Sequence, residues 1–362
     1  MKLWDLTKRF ISRKSTAPFY FVFFITARCN ARCQHCFYWK EVESADAKEE
    51  LSLEEIEKVA KSMGNIYFLS LTGGEPFVRK DLFDIVKIFV KHNKVSHLTI
   101  PTNGILTEQI KSTVENILET FPKLALSINI SLDGKEELHD KIRGVKGCFK
   151  SAINTYNSLR PFKKEHKNLN LRFVATVSKA NQESIQEFYD YVRNDLKADL
   201  SLVLVRGSPK NAKLKDIDVS FYEKIQERIM NEDKFKKKSL WLNLLNYPIL
   251  RNIIRFRMSK LREQMIIETV RKNEFITPCF AGELNAVMYE NGEIAPCEML
   301  NIKFGNVRDF NYDFQKIWNS EGADKARRWI KDSKCFCTHE CNLTSNILFN
   351  PKFLIKILKG KL

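Results

Sequence analysis

The sequence has no long hydrophobic run, no internal repeat and no low-complexity linker. Its longest strongly apolar stretch, Phe19 to Ile25, falls far short of the roughly 20 residues that a membrane-spanning helix requires. Lys8, Arg9, Arg13 and Lys14 interrupt the N-terminal apolar residues, and no small-residue cleavage site follows them, so a secretory signal is not expected. The chain is also short of acid: 44 Asp and Glu against 60 Lys and Arg leave a formal net charge of +16. Two readings of that excess stay open, attraction to an anionic partner or a generally basic, solvated surface. Nucleic acid is not an expected partner, because no aromatic-basic recognition motif accompanies the charge. With 362 residues, 44% hydrophobic and 29% charged, the chain has ordinary globular composition and can bury one large domain with a smaller appendage.

Without a signal, a cytoplasmic location is the default, and cysteines there read as ligands or catalysts before disulfides. Nine are present. Cys148 stands alone and reads as a small buried hydrophobe. Cys29, Cys33 and Cys36 cluster near the start, and Cys279, Cys297, Cys335, Cys337 and Cys341 near the end.

Between those clusters, strand-like runs alternate with amphipathic helical patterns. The strands are expected at Phe19–Thr26, Tyr67–Gly73, His97–Asn103, Leu124–Asp133, Leu169–Ser178 and Asp199–Gly207. Ser52 with Glu55 reads as a capping box, with Gly64 closing that helix. Further helices are expected at Asp81–His92, Thr107–Phe121, Phe149–Leu159 and Asn181–Leu196. Such alternation predicts an α/β fold with a parallel sheet covered by helices. Six units are too few for an eight-fold closure, so a partial (β/α)6 TIM-like barrel is expected, its working loops at the C-terminal strand ends. Beyond Asp218, helices are expected at Phe221–Met230 and along Trp241–Lys272, broken once at Pro248. The segment around Leu244–Leu261 and the tail Phe353–Leu362 are basic and apolar together, as interfacial helices are. Packing of those apolar faces on the barrel is the competing reading.

The segment Cys29-Asn-Ala-Arg-Cys33-Gln-His-Cys36 follows the first strand directly. Three thiolates on one loop can hold three irons of a [4Fe–4S] cubane and leave the fourth iron open to a small molecule. A zinc knot fits less well, since structural zinc takes four ligands in paired short spacings. This C-x3-C-x2-C pattern after a first barrel strand resembles the signature of the radical S-adenosylmethionine (SAM) superfamily. The resemblance implies that Cys29, Cys33 and Cys36 ligate the cluster, that SAM chelates the free iron, and that His35 lies by the adenine. Gly73-Gly74-Glu75-Pro76 at the end of the second strand resembles the family's motif for the SAM amino group, with Glu75 offering the carboxylate. Paired glycines also let a backbone approach a ligand closely. Asn103, Ser131 and Asp133 end the third and fourth strands. The resemblance puts Ser131 and Asp133 near the ribose or methionine part of SAM and pairs Arg143 with its carboxylate. Turn formation and helix capping compete as roles for Asn103 and Asp133. Arg206 is expected to border the adenine.

The second group is laid out as cysteine, hairpin, cysteine, Gly305-Asn306, helix, terminal cysteines, with a turn at Tyr289–Glu293. That layout resembles the SPASM/twitch extension of the same superfamily and implies one auxiliary [4Fe–4S] cluster. Cys279, Cys297 and Cys341 are its expected ligands, with Cys335 and Cys337 competing for the fourth place. A zinc site is the alternative. The expected organisation is a basic N-terminal segment 1–17, the core barrel 18–207, a helical connection 208–275, the auxiliary-cluster domain 276–345, and a basic amphipathic tail 346–362. The resemblance further implies reductive cleavage of SAM to a 5′-deoxyadenosyl radical that abstracts hydrogen from a substrate. An electron donor such as flavodoxin or ferredoxin is implied. The substrate is expected to be a peptide or protein side chain, or a lipid- or sugar-linked precursor, with peripheral contact to a membrane as an option. A non-catalytic iron–sulfur sensor on the same fold is the alternative.

Overall fold

The computed structural model describes residues 17–233 and 248–360. The expected N-terminal segment lies almost wholly outside the described residues, as do Trp241, Leu244 and Leu245 of the connecting stretch and Lys361 of the tail.

All six expected strands form: β1 (Tyr20–Thr26), β2 (Phe68–Gly73), β3 (His97–Thr102), β4 (Ala125–Ser131), β5 (Leu169–Val177) and β6 (Leu200–Leu204). Each pairs in parallel with its successor. Only β1 is apolar and buried along nearly its whole length. β5 and β6 alternate between buried residues and partly exposed ones. The buried set faces the helices, where Phe21, Phe23 and Phe89 pack edge to face or tilted. The inner set is more polar because the inside of this partial barrel is a cavity rather than a filled core.

The sheet does not stop at β1. Strands β7 (Asn285–Met288), β8 (Glu293–Ala295) and β9 (Gly305–Asn306) continue it, in the order β6-β5-β4-β3-β2-β1-β7-β8-β9. β7 runs parallel to β1, and β7–β8 is the expected hairpin, with Gly292 at φ 89° in its turn. The edge that β1 would otherwise expose is therefore covered by the second cysteine region itself.

Several helices depart from the expected bounds. The Ser52–Glu55 capping box is present, with Glu55 N–H donating to Ser52 Oγ at 3.2 Å and Ser52 N–H to Glu55 Oε2 at 2.8 Å. That helix ends at Ser62 with Met63 extended at its cap, so Gly64 does not close it. Helix Cys148–Glu165 passes through Pro161, beyond which Phe162 packs on the core. Asn181 starts no helix: its side-chain amide is spent on the carbonyls of Asp133 and Thr176. Helix Glu136–Arg143 was not anticipated, being short and mostly polar. Helix Pro248–Lys272 begins at its proline, a first-turn position where the missing N–H costs nothing. It packs on helices Val219–Asp233 and Glu340–Leu348.

Candidate functional site

β1 ends at Thr26, and the chain turns into the loop that carries Cys29, Cys33 and Cys36. Backbone hydrogen bonds brace this loop on three sides. Gly74 N–H donates to Thr26 O at 2.8 Å and Glu75 N–H to Arg28 O at 2.9 Å. Arg32 N–H and Gln34 N–H donate to Arg143 O and Ile142 O, using carbonyls that the end of helix Glu136–Arg143 leaves unpaired. Lys210 N–H and Asn211 N–H, beyond β6, donate to Cys36 O and Gln34 O. The glycines serve these contacts. A Cβ on Gly74 would sit 2.2 Å from Arg28 O, and one on Gly144 2.7 Å from Arg32 O. The close approach expected of Gly73 and Gly74 is thus to the chain's own backbone.

The loop opens on a cavity of about 400 Å³. Cys29, Cys33, His35, Cys36, Gly73, Gly74, Glu75, Pro76, Asn103, Ser131 and Arg143 all line it. Asp133 does not reach it. That carboxylate is fully buried, accepting from Arg143 Nε at 2.7 Å and from Thr176 N–H at 2.8 Å. Burial alone would raise the Asp133 carboxyl, but Arg143, His35 and His139 hold it below the usual range. Its place is behind Arg143, whose Nη1 points at Cys33 Sγ at 3.7 Å. Asn103 combines a turn role with a brace: its Oδ1 accepts from Ile105 N–H at 3.0 Å, and its Nδ2 donates to Asn30 Oδ1 at 2.7 Å.

Glu75 is only 2% exposed. Its oxygens accept from Thr102 Oγ1 and from Asn103 N–H, each at 2.7 Å. Burial pushes its carboxyl up to about 7 despite those donors, so the site is tuned to receive a cation. Burial also lowers His35 to about 4 and leaves its Nδ1 without a partner on the cavity wall. Burial raises Cys29 to about 12 and Cys36 to about 11. These sulfurs are thiols until a metal displaces their protons. Soft sulfur donors on the wall, an orphaned ring nitrogen and a buried carboxyl that a cation would ionise together fit an iron–sulfur cluster with a small cationic ligand beside it.

The second group is enclosed. Cys279, Cys335 and Cys337 border a cavity of only about 10 Å³. Cys297 is buried against Ala281 and Ile330, and Cys279 and Cys335 pack on the same apolar patch. Burial chiefly raises the Cys279 thiol, and Cys337, Cys297 and Cys335 are near enough to raise it further. Cys341 stands apart from that enclosure. It lines the large cavity, and its thiol donates to Tyr20 OH at 3.3 Å. Among the described residues, no three Cys, His, Asp or Glu side chains converge tightly enough for a single metal ion. A four-iron cube binds its thiolates on separate irons. Cys148 is buried, as expected of a small hydrophobe.

Sequence reasoning missed most of the cavity wall supplied by the C-terminal region. Arg206 does line the cavity, as expected, and there bridges Glu298 at 3.0 Å and Glu340 at 2.8 Å. His339 Nε2 contacts Glu298 at 2.6 Å, while its Nδ1 accepts from Asn342 N–H at 3.3 Å. Burial opposes ionisation of Glu298, but His339 and Arg206 hold it down to about 2. Tyr38 OH donates to Glu290, tying the first cysteine loop to the hairpin. Nothing in the sequence marks these charges out from the many surface ones.

Two family models match the chain: the radical SAM superfamily over residues 23–192, and an iron–sulfur cluster-binding domain, SPASM, over residues 279–342. Among curated proteins, the chain is 30% identical over 324 residues to an Fe-coproporphyrin III synthase of Methanosarcina barkeri, covering 86% of this chain and 75% of that one. It is 26% identical over 335 residues to the subtilosin biosynthesis protein AlbA of Bacillus subtilis, covering 91% and 65%. Among solved structures, SuiB of Streptococcus suis bound to its precursor peptide SuiA aligns with a TM-score of 0.60 at 17% identity, over 89% of this chain and 69% of that one. The structure of anSMEcpe with bound AdoMet aligns with a TM-score of 0.54 at 15% identity, over 94% and 98%. At these identities the structural likeness is one of fold.

Proposed function

The chain belongs to the radical SAM superfamily, an enzyme with SAM and iron–sulfur clusters as its cofactors, and we propose that it abstracts hydrogen from a substrate held in the barrel cavity. The observation that carries this is the convergence on one cavity wall of three thiols from a single braced loop with the buried carboxyl of Glu75. Cys29, Cys33 and Cys36 would hold the SAM-binding cluster. When bound, cluster and SAM supply the reductive chemistry that makes a hydrogen-abstracting carbon radical. Glu75 would take the ammonium of SAM, with Thr102 and Asn103 N–H orienting its oxygens. Gly73, Gly74 and Pro76 shape the strand end that holds it there. Arg143, kept charged by Asp133, would face the SAM carboxylate, and His35 and Ser131 would border its nucleoside.

We assign residues 18–207 to the catalytic unit and 276–345 to the auxiliary one, joined through the shared sheet. Cys279, Cys297, Cys335 and Cys337 are the proposed ligands of one auxiliary [4Fe–4S] cluster. Four thiolates would close that cluster to substrate and suit it to electron transfer or scaffolding. The net charge of +16 suits an acidic reductant such as flavodoxin or ferredoxin.

For the substrate we favour a peptide. Phe37, Tyr38 and Trp39 line the cavity beside the cysteines, an aromatic wall suited to side chains. Relatives with peptide products or bound peptides support the choice. A tetrapyrrole is the second reading, supported by the 30% relative that spans most of both chains. The test is anaerobic: reduced, reconstituted protein should form 5′-deoxyadenosine from SAM, and the right substrate class should accelerate it. No deoxyadenosine with a full first cluster and a strong reductant would refute the proposal.

No described helix is long and apolar enough to cross a membrane. Peripheral attachment is a separate proposal. Helix Pro351–Lys359 carries Lys352, Lys356 and Lys359 and leaves Ile355 and Leu358 exposed, while Ile357 is buried. Arg257 donates to Ile357 O and Leu358 O at its end. Such a helix can lie on an anionic lipid surface from the cytoplasmic side. Co-sedimentation with anionic vesicles should fall on truncation after Asn350 and in high salt. Equal sedimentation of both forms would remove the helix from consideration.

A further inference from the structure

Arg172 is a cation for which the proposed chemistry has no use. β5 alternates strictly, so Arg172 shares its inner face with Val174 and Thr176, which line the large cavity. Arg172 itself lies just outside the cavity lining, but across the sheet it neighbours Asn129 of β4, which lines it and whose Oδ1 accepts from Arg172 Nε at 2.9 Å. That is the one hydrogen bond of its side chain among the described residues, and no carboxylate there lies within ion-pair distance of it. Both Nη groups, four N–H donors, remain available.

The surrounding charges are already matched. Asp199 is shared by Arg193 at 2.7 Å and Lys163 at 3.2 Å. Arg206 has Glu298 and Glu340, and Arg262 has Glu263 at 2.8 Å. Burial disfavours the charge on Arg172, and Arg262 adds like-charge repulsion that Asp199 and Tyr20 do not cancel. A half-buried guanidinium in this condition is completed by an anion.

We infer that Arg172, with Asn129 beside it, forms an anion subsite that takes one carboxylate of the substrate through its free Nη groups. The inference rests on the proposed use of this cavity for substrate. A single guanidinium matches a carboxylate in charge and in planar, bidentate geometry. A phosphate dianion would leave a second charge facing Ser70, Thr99 and Asn129, which are neutral. Peptides and tetrapyrroles both carry carboxylates, so the subsite serves either reading.

The experiment is calorimetric titration of the anaerobic, SAM-loaded holoenzyme with three probes: glutarate, its neutral counterpart glutaramide, and inorganic phosphate. Glutarate should bind at least about tenfold more tightly than glutaramide, as expected for a hydrogen-bonded charge pair. Arg172→Gln should abolish that preference and Arg172→Lys retain part of it, with iron content and circular dichroism confirming that both variants fold. Equal binding of glutarate and glutaramide by the unaltered protein, no binding of either, tighter binding of phosphate, or an unchanged preference in Arg172→Gln would each overturn the inference. The titration reads only the subsite. Hydrogen abstraction is read separately by deoxyadenosine formation.

Discussion

The two cysteine regions solve opposite problems with the same side chain. The first takes its sulfurs from eight consecutive residues, and its loop conformation comes from outside: the ends of β2, of helix Glu136–Arg143 and of β6 each accept or donate backbone hydrogen bonds to it. The second gathers sulfurs spread over residues 279 to 337 and encloses them with Ala281, Ile330 and the hairpin. One leaves its thiols on a wall of a 400 Å³ cavity, the other around a space of about 10 Å³. Openness comes from a short, externally braced loop, and closure from long-range assembly.

The largest test of that difference removes each set in turn. Two four-iron cubanes imply about eight irons per chain. Replacing Cys29, Cys33 and Cys36 by alanine should remove about half the iron and all deoxyadenosine formation above background. Replacing Cys279, Cys297, Cys335 and Cys337 should remove the other half and leave substrate-free deoxyadenosine formation measurable, because the first loop draws its braces from the barrel. If the second replacement silences SAM cleavage while the first cluster stays full, the regions are not separable in this way. Zinc in the second site would likewise end the auxiliary-cluster proposal.

Glu75 offers the next largest effect. Its carboxyl titrates at about 7 when folded, above the ordinary 4.5, chiefly through burial. Between those values the folded state holds a proton that the unfolded state has lost, so stability falls as pH rises from about 4.5 through about 7. The loss is on the order of 3 kcal/mol for cofactor-free protein, at 1.36 kcal/mol per pKa unit. Glu75→Gln should flatten that slope in urea unfolding. It should also weaken SAM binding about tenfold to a hundredfold while iron content holds, the loss expected for a hydrogen-bonded ammonium partner. An unchanged slope would place the titration elsewhere.

Sequence patterns carried the site further than its surroundings. Strand positions and the Cys29 to Glu75 motifs were legible because hydrophobic runs and short spacings are local. Helix Glu136–Arg143 was not, though its last carbonyls hold the cysteine loop, because it is short and only two apolar residues, Leu138 and Ile142, mark its inner side. The addition of β7 to the barrel edge pairs Tyr20 with Asn285, and the meeting of Arg206 with Glu298 and Glu340 joins residues 92 and 134 positions apart, separations no local pattern reports. Arg172 was visible only as one polar residue in an alternating strand, a pattern that also describes a solvated face.

Gly144 tests the bracing itself, with a smaller effect. It sits at φ 68°, and a Cβ there would approach Arg32 O to 2.7 Å. Gly144→Ala should cost about 2 kcal/mol, since an L side chain is strained in that region and the cysteine loop must also give way. Iron should be lost partially from the first cluster and not from the second, as spectroscopy of the singly loaded forms would resolve. Equal loss from both clusters would mean general destabilisation rather than a broken brace.

The smallest expected effect is the sharpest on ligand identity. The resemblance to the SPASM/twitch layout favoured Cys341 with Cys279 and Cys297; the fold puts its thiol beside Tyr20 on the cavity wall, while Cys335 and Cys337 border the enclosed space with Cys279. His339 stands between them, its ring capping helix Glu340–Leu348 by accepting from Asn342 N–H, and Cys341 sits in the first turn of that helix. Burial holds the Cys341 thiol up at about 11, so it is a neutral hydrogen-bond donor to Tyr20 at pH 7. Cys341→Ser preserves a donor at that place and should leave iron content and the visible spectrum of both clusters unchanged. Cys337→Ser should lower iron toward the first cluster's share. Should Cys341→Ser remove the auxiliary iron instead, the cluster draws this helix inward on assembly, and the ligand set is the one that the SPASM/twitch layout implies.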